Sequence, residues 1–407
     1  MKILLFTEIF DCGGIDTFII NLINNWPRNG DTFVIIANSN YPGLKIIEDK
    51  LHRNSEIIRH SVPIYNNLKC KTIFTKLLIK IFYPILRYVF LFYNVLAFRN
   101  LLVGTNADML MVINGGYPGG DSCRAVAISW HMFSGKGKSI HNFHNISAKA
   151  PWYLLIQENI IDWILCKCVS QFITVSKAAA DSINSRPVIF RKNITQYIFN
   201  GINVPDSAVF GNQNIRNELG ISDTTPLCIM LGTYEPRKGH YFLFLAFKKV
   251  IEEVKNAQLL VCGYGFPEEI NLVNKYIKDL QLNENVHLMG FRTDISQLLY
   301  YSDLLLVASQ AYESFGFTSI EAMAHKVPVL ATNVGGIPEV VIDGEGGYCV
   351  DRDDVDSYAR WIIKLLKDEN LRKAQGQRGY KRFLDFFTSD IMASKYSNII
   401  KDKISSN

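Results

Sequence analysis

Short apolar runs alternate with amphipathic stretches along the whole of this 407-residue chain. Buried parallel strands produce apolar runs and the helices that connect them produce amphipathic stretches, so the alternation predicts an α/β protein. In the first half the predicted strands are 2–7, 32–37, 108–113, 124–130 and 171–175. In the second half they are 226–232, 258–262, 286–290, 303–308, 327–332 and 346–350.

The chain is longer than one hydrophobic core usually fills, and it contains a natural break. Residues 200–214, "NGINVPDSAVFGNQN", are rich in Asn, Gly and Pro and lack a sustained apolar period, which is typical of a linker. We therefore predict two doubly wound, Rossmann-like domains facing across a cleft, with the first domain at 1–200. Ligands of such sheets bind beyond the carboxyl ends of the strands, so the loops that follow the strands are the candidate sites.

The formal net charge of +5 conceals an asymmetry between the two halves. Residues 1–200 contain 21 Lys and Arg against 12 Asp and Glu, whereas the remainder contains 22 against 26. No acid occurs between Glu56 and Asp108, and a basic apolar insert lies in that window at about 69–99. Such a segment suits an anionic ligand or surface. It is predicted to be a helix packed on the first domain, a helix lying in the membrane interface, or a membrane span.

The number of cysteines and the start of the chain bear on the cellular compartment of the protein. Eight cysteines are too sparse for a disulfide scaffold in a chain of this length, and the apolar start is interrupted early by Glu8. These features predict reduced thiols and no secretory signal, which is typical of an intracellular protein. We predict no nucleic-acid partner.

A first candidate site is the segment "ESFGFTSIEAMA", which follows the predicted strand 303–308. Gly316 permits a close backbone approach, and the free amides of the helix that begins after it suit a phosphate. Glu313 in the loop and Glu321 about one turn into the helix could accept hydrogen bonds from the hydroxyls of one extended ligand. The alternative is a solvated loop glutamate and an unrelated helix-face glutamate.

Three further junctions carry candidate residues. Arg237 and Lys238 follow the predicted strand 226–232 and could neutralise a diphosphate, or they could be solvated surface charges. Gly13 and Gly14 follow the first strand and could let backbone N–H groups approach a ligand, or could form an ordinary turn. His131 follows the predicted strand 124–130 and could bind a hydroxyl or accept a proton, or could be structural.

Taken together, the motifs resemble those of family 4 glycosyltransferases. The resemblance covers nearly the whole chain and is most specific in 229–345, where the motifs "GTYEPRKG", "VHLMGF", "YSDLLLVAS", "ESFGFTSIEAMA" and "VPVLATNVGGIPEVV" occur in the family's order and spacing. The resemblance implies the GT-B fold and a retaining enzyme with a nucleotide-sugar donor. It also implies a donor-binding domain at 201–384 and a helix at 385–407 that returns to the first domain.

The resemblance also implies roles for the donor-side residues. Glu321 would bind the ribose hydroxyls and Glu313 the hydroxyls of the transferred sugar. Arg237 and Lys238 would hold the diphosphate. The backbone of the helix start would assist them, through Gly316, Phe317 and Thr318.

On the first domain, the resemblance assigns Gly13 and Gly14 to the family's glycine loop. His131 would be the histidine near the reacting sugar. Asp16 departs from the pattern, because family members commonly carry Glu at that position, and it is assigned no role.

The predicted protein is a metal-independent retaining hexosyltransferase that uses a nucleotide sugar as co-substrate and no cofactor. The acidic segment "DRDD" at 351–354 is interpreted as helix-capping acids rather than a metal site. The predicted acceptor is a glycan, lipid-linked, in bacterial surface polysaccharide synthesis, which would place the protein in the cytoplasm against the anionic inner face of the plasma membrane. Two alternatives remain: a nucleotide-sugar epimerase or hydrolase, and a non-catalytic, membrane-docked subunit of a glycan-assembly complex.

Overall fold

The computed structural model describes residues 1–10, 12–63, 73–206 and 214–405, with the side chains of 73–81 left aside. The chain divides into two compact units. The first consists of Met1–Asn200 together with Ser389–Asn407, and the second is Gly201–Thr388.

The first unit is built on a parallel sheet of seven described strands in the order β3-β2-β1-β4-β5-β6-β7. These are β1 (Lys2–Thr7), β2 (Thr32–Asn38), β3 (Ser55–His60), β4 (Met109–Asn114), β5 (Ser139–Phe143), β6 (Val169–Thr174) and β7 (Thr195–Tyr197). The helices are α1 (Gly14–Asn24), α2 (Gly43–Lys50), α3 (Ile73–Val103), α4 (Asp121–Phe133), α5 (Leu155–Cys168), α6 (Lys177–Asp181), α7 (Pro187–Phe190) and the last helix of the chain, α16 (Ser389–Ser405).

Alternate residues of the central strands supply two cores, one on each face of this sheet. Leu4 and Phe6 of β1 face a core to which α3, α4 and α5 contribute. Ile3 and Leu5 face the opposite core, which α1 and α16 complete. Both faces are covered, and this explains why the central strands are almost continuously apolar.

A buried ion network joins the helices on the first of these faces. Its members are three arginines and three carboxylates: Arg87, Arg124, Arg186, Asp121, Glu158 and Asp162. Arg87 Nε lies 3.0 Å from Asp121 Oδ2, and Arg186 Nη2 lies 2.8 Å from Asp162 Oδ1. The charges balance, so the network fixes α3, α4 and α5 relative to one another without leaving a net buried charge.

The second unit has a parallel sheet of six described strands in the order β10-β9-β8-β11-β12-β13. They are β8 (Leu227–Leu231), β9 (Gln258–Cys262), β10 (Val286–Met289), β11 (Leu304–Val307), β12 (Val329–Thr332) and β13 (Gly347–Val350). The helices are α8 (Ile215–Glu218), α9 (His240–Glu253), α10 (Pro267–Asp279), α11 (Ile295–Tyr300), α12 (Phe317–Ala324), α13 (Ile337–Val340), α14 (Val355–Lys367) and α15 (Glu369–Phe386).

One predicted strand is wrong. Residues 124–130 lie within α4, where Arg124 to Trp130 are all buried. A helix that is buried all round gives a continuous apolar run, which resembles a buried strand in sequence. The strand that follows β4 in the sheet is instead β5, whose five residues include His141 and Asn142. The other predicted strands each coincide with an observed one.

The basic apolar insert at 69–99 coincides largely with α3, although its first residues lie outside the described part of the chain. One side of α3 packs into the core through Leu91, Val95, Phe98 and Leu102. Among the described residues, Phe82–Val103 is the one helix segment long and apolar enough to cross a membrane, and 33% of its apolar window is buried. Length and composition alone are weak evidence for a span, since core helices share them.

Candidate functional site

The residues predicted to bind a ligand in the second unit meet at the point where the strand order reverses. β8 lies between β9 and β11. The chain continues from β8 to β9 and β10 on one side, and then crosses to β11 on the other side of β8. Lys238 lies in the short 3₁₀ turn Pro236–Lys238 that follows β8, and Glu313 lies in the loop that follows β11. In open parallel sheets this switch point is where ligands bind.

Lys238 and Glu313 form the central ion pair of this site. Lys238 Nζ lies 2.5 Å from Glu313 Oε2, and both side chains are largely buried, with 18% and 17% exposure. Ser309 Oγ donates a weak hydrogen bond to the same carboxylate oxygen at 3.4 Å, and Arg237 Nη1 lies 3.8 Å from it. The sequence prediction that the loops after β8 and β11 share one site is consistent with this contact.

The sequence analysis missed a second acid, Glu235. Its carboxylate accepts a hydrogen bond from Arg237 Nε at 2.6 Å and one from Thr233 Oγ1 at 2.8 Å. The hydrogen bond from Arg237 is the main cause of the lowered pKa of Glu235. The two cations are therefore each matched by a glutamate, so the ligand-free site is charge-balanced. Arg237 is 41% exposed and can leave Glu235 for an incoming anion.

The loop that carries Glu313 is held by backbone contacts with the loop after β12. Gly336 N–H donates to the Glu313 carbonyl at 2.8 Å. Gly335 has φ +57°, and a Cβ there would lie 2.2 Å from the Glu313 carbonyl oxygen. Only glycine permits this approach. The paired glycines directly after the predicted strand 327–332 were a sequence signal for this contact.

The start of α12 presents unpaired backbone amides at the same edge of the sheet. Gly316 is its N-cap with φ 86°, a left-handed conformation that favours glycine. The first intrahelical hydrogen bond is donated by Ser319 N–H to the Gly316 carbonyl at 3.0 Å. The amides of Phe317 and Thr318 precede it and remain available to an anion.

Glu321 lies in the second turn of α12 and is partly buried. Burial raises the pKa of its carboxyl group to about 7. Among the described residues no side chain or backbone group pairs with this carboxyl group. The contact of His325 with Glu321 is to the backbone carbonyl, which lies 2.8 Å from His325 Nδ1. A desolvated carboxylate without a partner is typical of a group that completes its hydrogen bonds with a ligand.

The acids at 351–354 are not gathered into a metal site. Asp354 caps α14, and its Oδ1 accepts a hydrogen bond from Ser357 N–H at 2.8 Å. The capping interpretation is confirmed for this residue. In the part of the chain that the structure describes, no group of three or more His, Cys, Asp and Glu side chains is placed to hold a metal ion.

In the first unit, Gly13 is the N-cap of α1 and Gly14 is its first residue, next to the strand-order reversal between β1 and β4. Gly13 N–H is already used, because it donates to Asp16 Oδ2 at 2.9 Å. Asp16 is buried and also accepts from the Tyr41 hydroxyl; burial raises the pKa of its carboxyl group. Asp16 therefore fixes the glycine loop. A Cβ on Gly13 would meet nothing within 4 Å, so the loop borders open space.

His131 does not lie at this edge of the sheet. It occupies the last turn of α4 and is exposed. Because α4 begins after the carboxyl end of β4, its last turn lies at the opposite, amino-terminal edge of the sheet. The neighbouring contact of Lys136 with Asp108, just before β4, confirms that position. The predicted placement of His131 beside the ligand is wrong, since it depended on a strand at 124–130.

The histidine that follows β5 at the carboxyl edge is His144, which the sequence analysis missed. Its Nε2 lies 2.7 Å from Asn142 Oδ1, and Asn142 Nδ2 donates to the Tyr396 hydroxyl of α16 at 2.8 Å. Because the Asn142 amide NH₂ faces Tyr396, the Asn142 amide oxygen faces the imidazole ring of His144. His144 Nε2 therefore carries the proton, and its Nδ1 is an acceptor. Nδ1 has no hydrogen-bond partner among the residues that the structure describes. Burial lowers the pKa of His144 to about 3, so the ring is neutral at physiological pH.

Comparisons with known proteins bear on the family resemblance and on the fold. Residues 211–382 match the family model "Glycosyl transferases group 1". The chain is similar to N-acetyl-alpha-D-glucosaminyl L-malate synthase of Bacillus anthracis, with 36% identity over 46% of this chain and 48% of that protein. It is also similar to the capsular polysaccharide biosynthesis glycosyltransferase CapM of Staphylococcus aureus, with 28% identity over 60% of this chain and 65% of that protein. The matches thus span about half to two-thirds of these relatives.

Solved structures match the chain over nearly its full length. A glycosyltransferase from Rickettsia africae has a TM-score of 0.79 and 19% identity, covering 100% of this chain and 99% of its own. HepE of Anabaena in complex with UDP has a TM-score of 0.74 and 17% identity, covering 99% and 100%. The two parallel-sheet units are therefore those of a GT-B glycosyltransferase fold. The family match lies within the second unit, which resembles the glycosyl transferases group 1 family over residues 211–382.

Proposed function

We propose that this protein is a retaining glycosyltransferase that moves a sugar from a nucleotide-sugar donor to a glycan acceptor. The observation that carries the proposal is the convergence of Lys238, Arg237, Glu313 and the α12 start at the switch point of the second sheet. Solved relatives of the same fold contain UDP-glucose or UDP, and similar proteins act in capsular polysaccharide biosynthesis.

The chemistry of transfer explains why these groups would be needed. The bond from the anomeric carbon to the diphosphate breaks, a bond to the acceptor oxygen forms on the same face of the sugar, and the acceptor proton passes to the departing diphosphate. Negative charge grows on that diphosphate. Lys238, Arg237 and the amides of Phe317 and Thr318 would stabilise it by preorganised electrostatics. No metal or cofactor is required in this scheme.

The carboxylates of Glu321 and Glu313 are assigned to hydroxyl groups of the donor. Glu321 would accept hydrogen bonds from the ribose, and Glu313 would bind the transferred sugar once Lys238 turns to the diphosphate. Charge-assisted hydrogen bonds of this kind are about twice as strong as neutral ones, so they can offset the desolvation of both acids.

The acceptor is proposed to be lipid-linked, as a growing bacterial surface polysaccharide would be. The basic first half and the exposed side of α3 support contact with the anionic cytoplasmic face of the plasma membrane. The acceptor would bind at the carboxyl edge of the first sheet, beside Gly13, Gly14 and His144.

The direct test is incubation of the purified chain with a panel of nucleotide sugars and glycan acceptors, followed by mass spectrometry of the products. We expect one donor to give a glycosylated acceptor, with the anomeric configuration of the donor kept in the product's NMR spectrum. Activity should be unchanged after treatment with EDTA, because the cations of the site are arginine and lysine.

Three other results would contradict parts of the proposal. Donor consumption at the same rate without acceptor would favour a hydrolase or epimerase. Intact donor with every acceptor would favour a non-catalytic subunit. Loss of activity in EDTA, restored by a divalent cation, would contradict the metal-independent scheme.

His144 and Tyr396 provide a test on the first unit. If His144 Nδ1 accepts a hydrogen bond from a sugar hydroxyl, His144→Ala should lower kcat about 10- to 100-fold, because a polar group left without its partner in a buried site costs about 1–3 kcal/mol. Tyr396→Phe keeps the aromatic ring and removes the acceptor of Asn142, so it should lower kcat several-fold with KM for the donor unchanged. His131→Ala is the matched control and should have native kinetics. Equal losses in His131→Ala and His144→Ala would contradict the assignment.

A further inference from the structure

The outward surfaces of α3 and α5 are apolar although both helices lie on the surface of the first unit. On α3 the exposed residues between 82 and 98 are Phe82, Ile85, Val89, Phe92, Tyr93 and Leu96. On α5 and the turn before it they are Trp152, Tyr153, Leu155, Ile156, Ile160 and Trp163, followed by Lys167. Trp152 and Ile156 are 87% and 77% exposed. We call these residues the α3–α5 face.

Three charged residues of the same two helices point the other way. Arg87 of α3 and Glu158 and Asp162 of α5 have at most 7% side-chain exposure and belong to the buried ion network. In a helix on a water-exposed surface the apolar side faces the core and the charges face solvent. Here charges lie inside and large apolar groups outside, an arrangement suited to a nonpolar environment on the outer side.

The two helices form one continuous surface. Gln157 Nε2 donates to the Pro84 carbonyl at 3.0 Å, and Arg87 forms an ion pair with Glu158. The exposed residues that flank these contacts, Ile85 and Ile156, therefore belong to adjoining patches. Contiguous apolar surface of this kind is rare on soluble monomers and marks an interaction site.

The margin of the α3–α5 face is basic and rich in amphipathic rings. Lys167 Nζ lies 3.5 Å from the centre of the Trp163 ring, and Lys149 is exposed just before Trp152. No Asp or Glu occurs between 122 and 157, as none occurs between 57 and 107. Tryptophan, tyrosine and lysine at the edge of an apolar surface are typical of the membrane interface.

We propose that the α3–α5 face is immersed in an anionic bilayer, with α3 and α5 lying in its surface and their apolar side chains among the acyl chains. The geometry of this surface supports immersion. Only the purpose of immersion, to bring a lipid-linked acceptor to the enzyme, rests on the proposed function. A second copy of the chain is less suited as occupant. A symmetric dimer places each patch against itself, so the lysines at the margin would repel one another.

The test uses the full chain, vesicles of phosphatidylcholine with phosphatidylglycerol, and flotation. We expect the protein to float with these vesicles and to remain bound in part at about 0.5 M NaCl, because salt screens the lysines but not apolar burial. Brominated acyl chains should quench the fluorescence of Trp152 and Trp163. Trp26 and Trp130, which are buried in the protein, should not be quenched.

Matched double variants distinguish insertion of the α3–α5 face from nonspecific adsorption of the protein to vesicles. Ile156→Gln with Ile160→Gln, and Val89→Gln with Phe92→Gln, should each lower the partition coefficient about tenfold or more, since each removes two exposed apolar groups from the lipid phase. Leu272→Gln with Leu384→Gln changes exposed apolar residues of the second unit and should leave partitioning native. The exposure of all these positions predicts native melting temperatures.

Several results would overturn the inference: equal partitioning of all variants, release of all protein by salt with no quenching, or a native dimer that the Gln variants convert to monomer. Turnover of a short water-soluble acceptor is measured in parallel. The Gln variants should retain it. If the native chain does not bind vesicles but converts the soluble acceptor, only the membrane proposal is wrong. If it binds vesicles but converts no acceptor, only the proposed function is wrong.

Discussion

Replacing Lys238 with alanine should reduce kcat/KM about 10²- to 10³-fold, comparable with the loss of one preorganised group that stabilises transition-state charge. Two effects contribute. The cation that faces the departing diphosphate is lost, and the largely buried Glu313 carboxylate loses the partner that lies 2.5 Å away. An unpaired carboxylate beside the diphosphate site repels the donor, so KM should rise as well as kcat fall. The measurement is steady-state kinetics with the donor identified from the panel.

A double variant separates the two effects. In Lys238→Ala with Glu313→Ala the repelling carboxylate is absent, so binding of the nucleoside diphosphate should recover relative to Lys238→Ala while transfer remains slow. Lys249→Ala is the matched control, because Lys249 of α9 forms an exposed ion pair with Asp356 of α14. Kinetics of Lys238→Ala within about threefold of native would remove Lys238 from the transfer step.

Glu321→Gln should stabilise the protein at pH 8 while weakening donor binding. Burial raises the pKa of this carboxyl from its ordinary 4.5 to about 7 in the folded chain. The folded state therefore holds the proton more tightly than the unfolded state, and stability falls as pH rises from 4.5 to 7. Above pH 7 the ionised group carries its full desolvation cost, at most about 3 kcal/mol. Glutamine has the same shape and avoids this cost.

Thermal unfolding and calorimetric titration check this prediction. The melting temperature of Glu321→Gln should exceed that of the native chain by a few degrees at pH 8 and match it near pH 4.5. Its affinity for the nucleoside diphosphate should be about tenfold weaker, because a neutral amide replaces a charged acceptor for the ribose. Native affinity should rise more steeply between pH 6 and 8 than that of the variant, which keeps only the titration of the ligand's terminal phosphate at about pH 6. A destabilised variant with native affinity would contradict the assigned role.

Every strand of the second sheet could be predicted, because all of them show the same apolar sequence pattern. Strands buried on both faces are continuous apolar runs, and each one in the second unit is bounded by Gly, Pro, Asn or Asp. The positions of Lys238 and Glu313 followed from that regularity. Their direct pairing, and the neutralisation of Arg237 by Glu235, depend on side-chain directions that a one-dimensional pattern does not contain.

The strands of the first sheet were harder to predict, because some of its strands contain polar residues even where they are buried. β5 contains His141 and Asn142, both fully buried, and β3 and β7 are edge or near-edge strands with polar residues. In contrast, α4 is so deeply buried that its sequence resembles a strand. Once α4 was assigned as a strand, His131 took the place that His144 occupies. One error in secondary structure therefore moved a candidate site residue to the other edge of the sheet.

The return of α16 to the first unit has a consequence for biosynthesis. Met392, Tyr396 and Ile400 complete one of the two cores of that unit, and the Asn142–Tyr396 hydrogen bond joins positions 254 residues apart. The ribosome must therefore synthesise the whole of the second unit, Gly201–Thr388, before α16 can pack onto the first unit. During that delay the intervening domain can finish folding first, as domains fold as units during synthesis. The first unit thus acquires α16 only after the second unit has been synthesised.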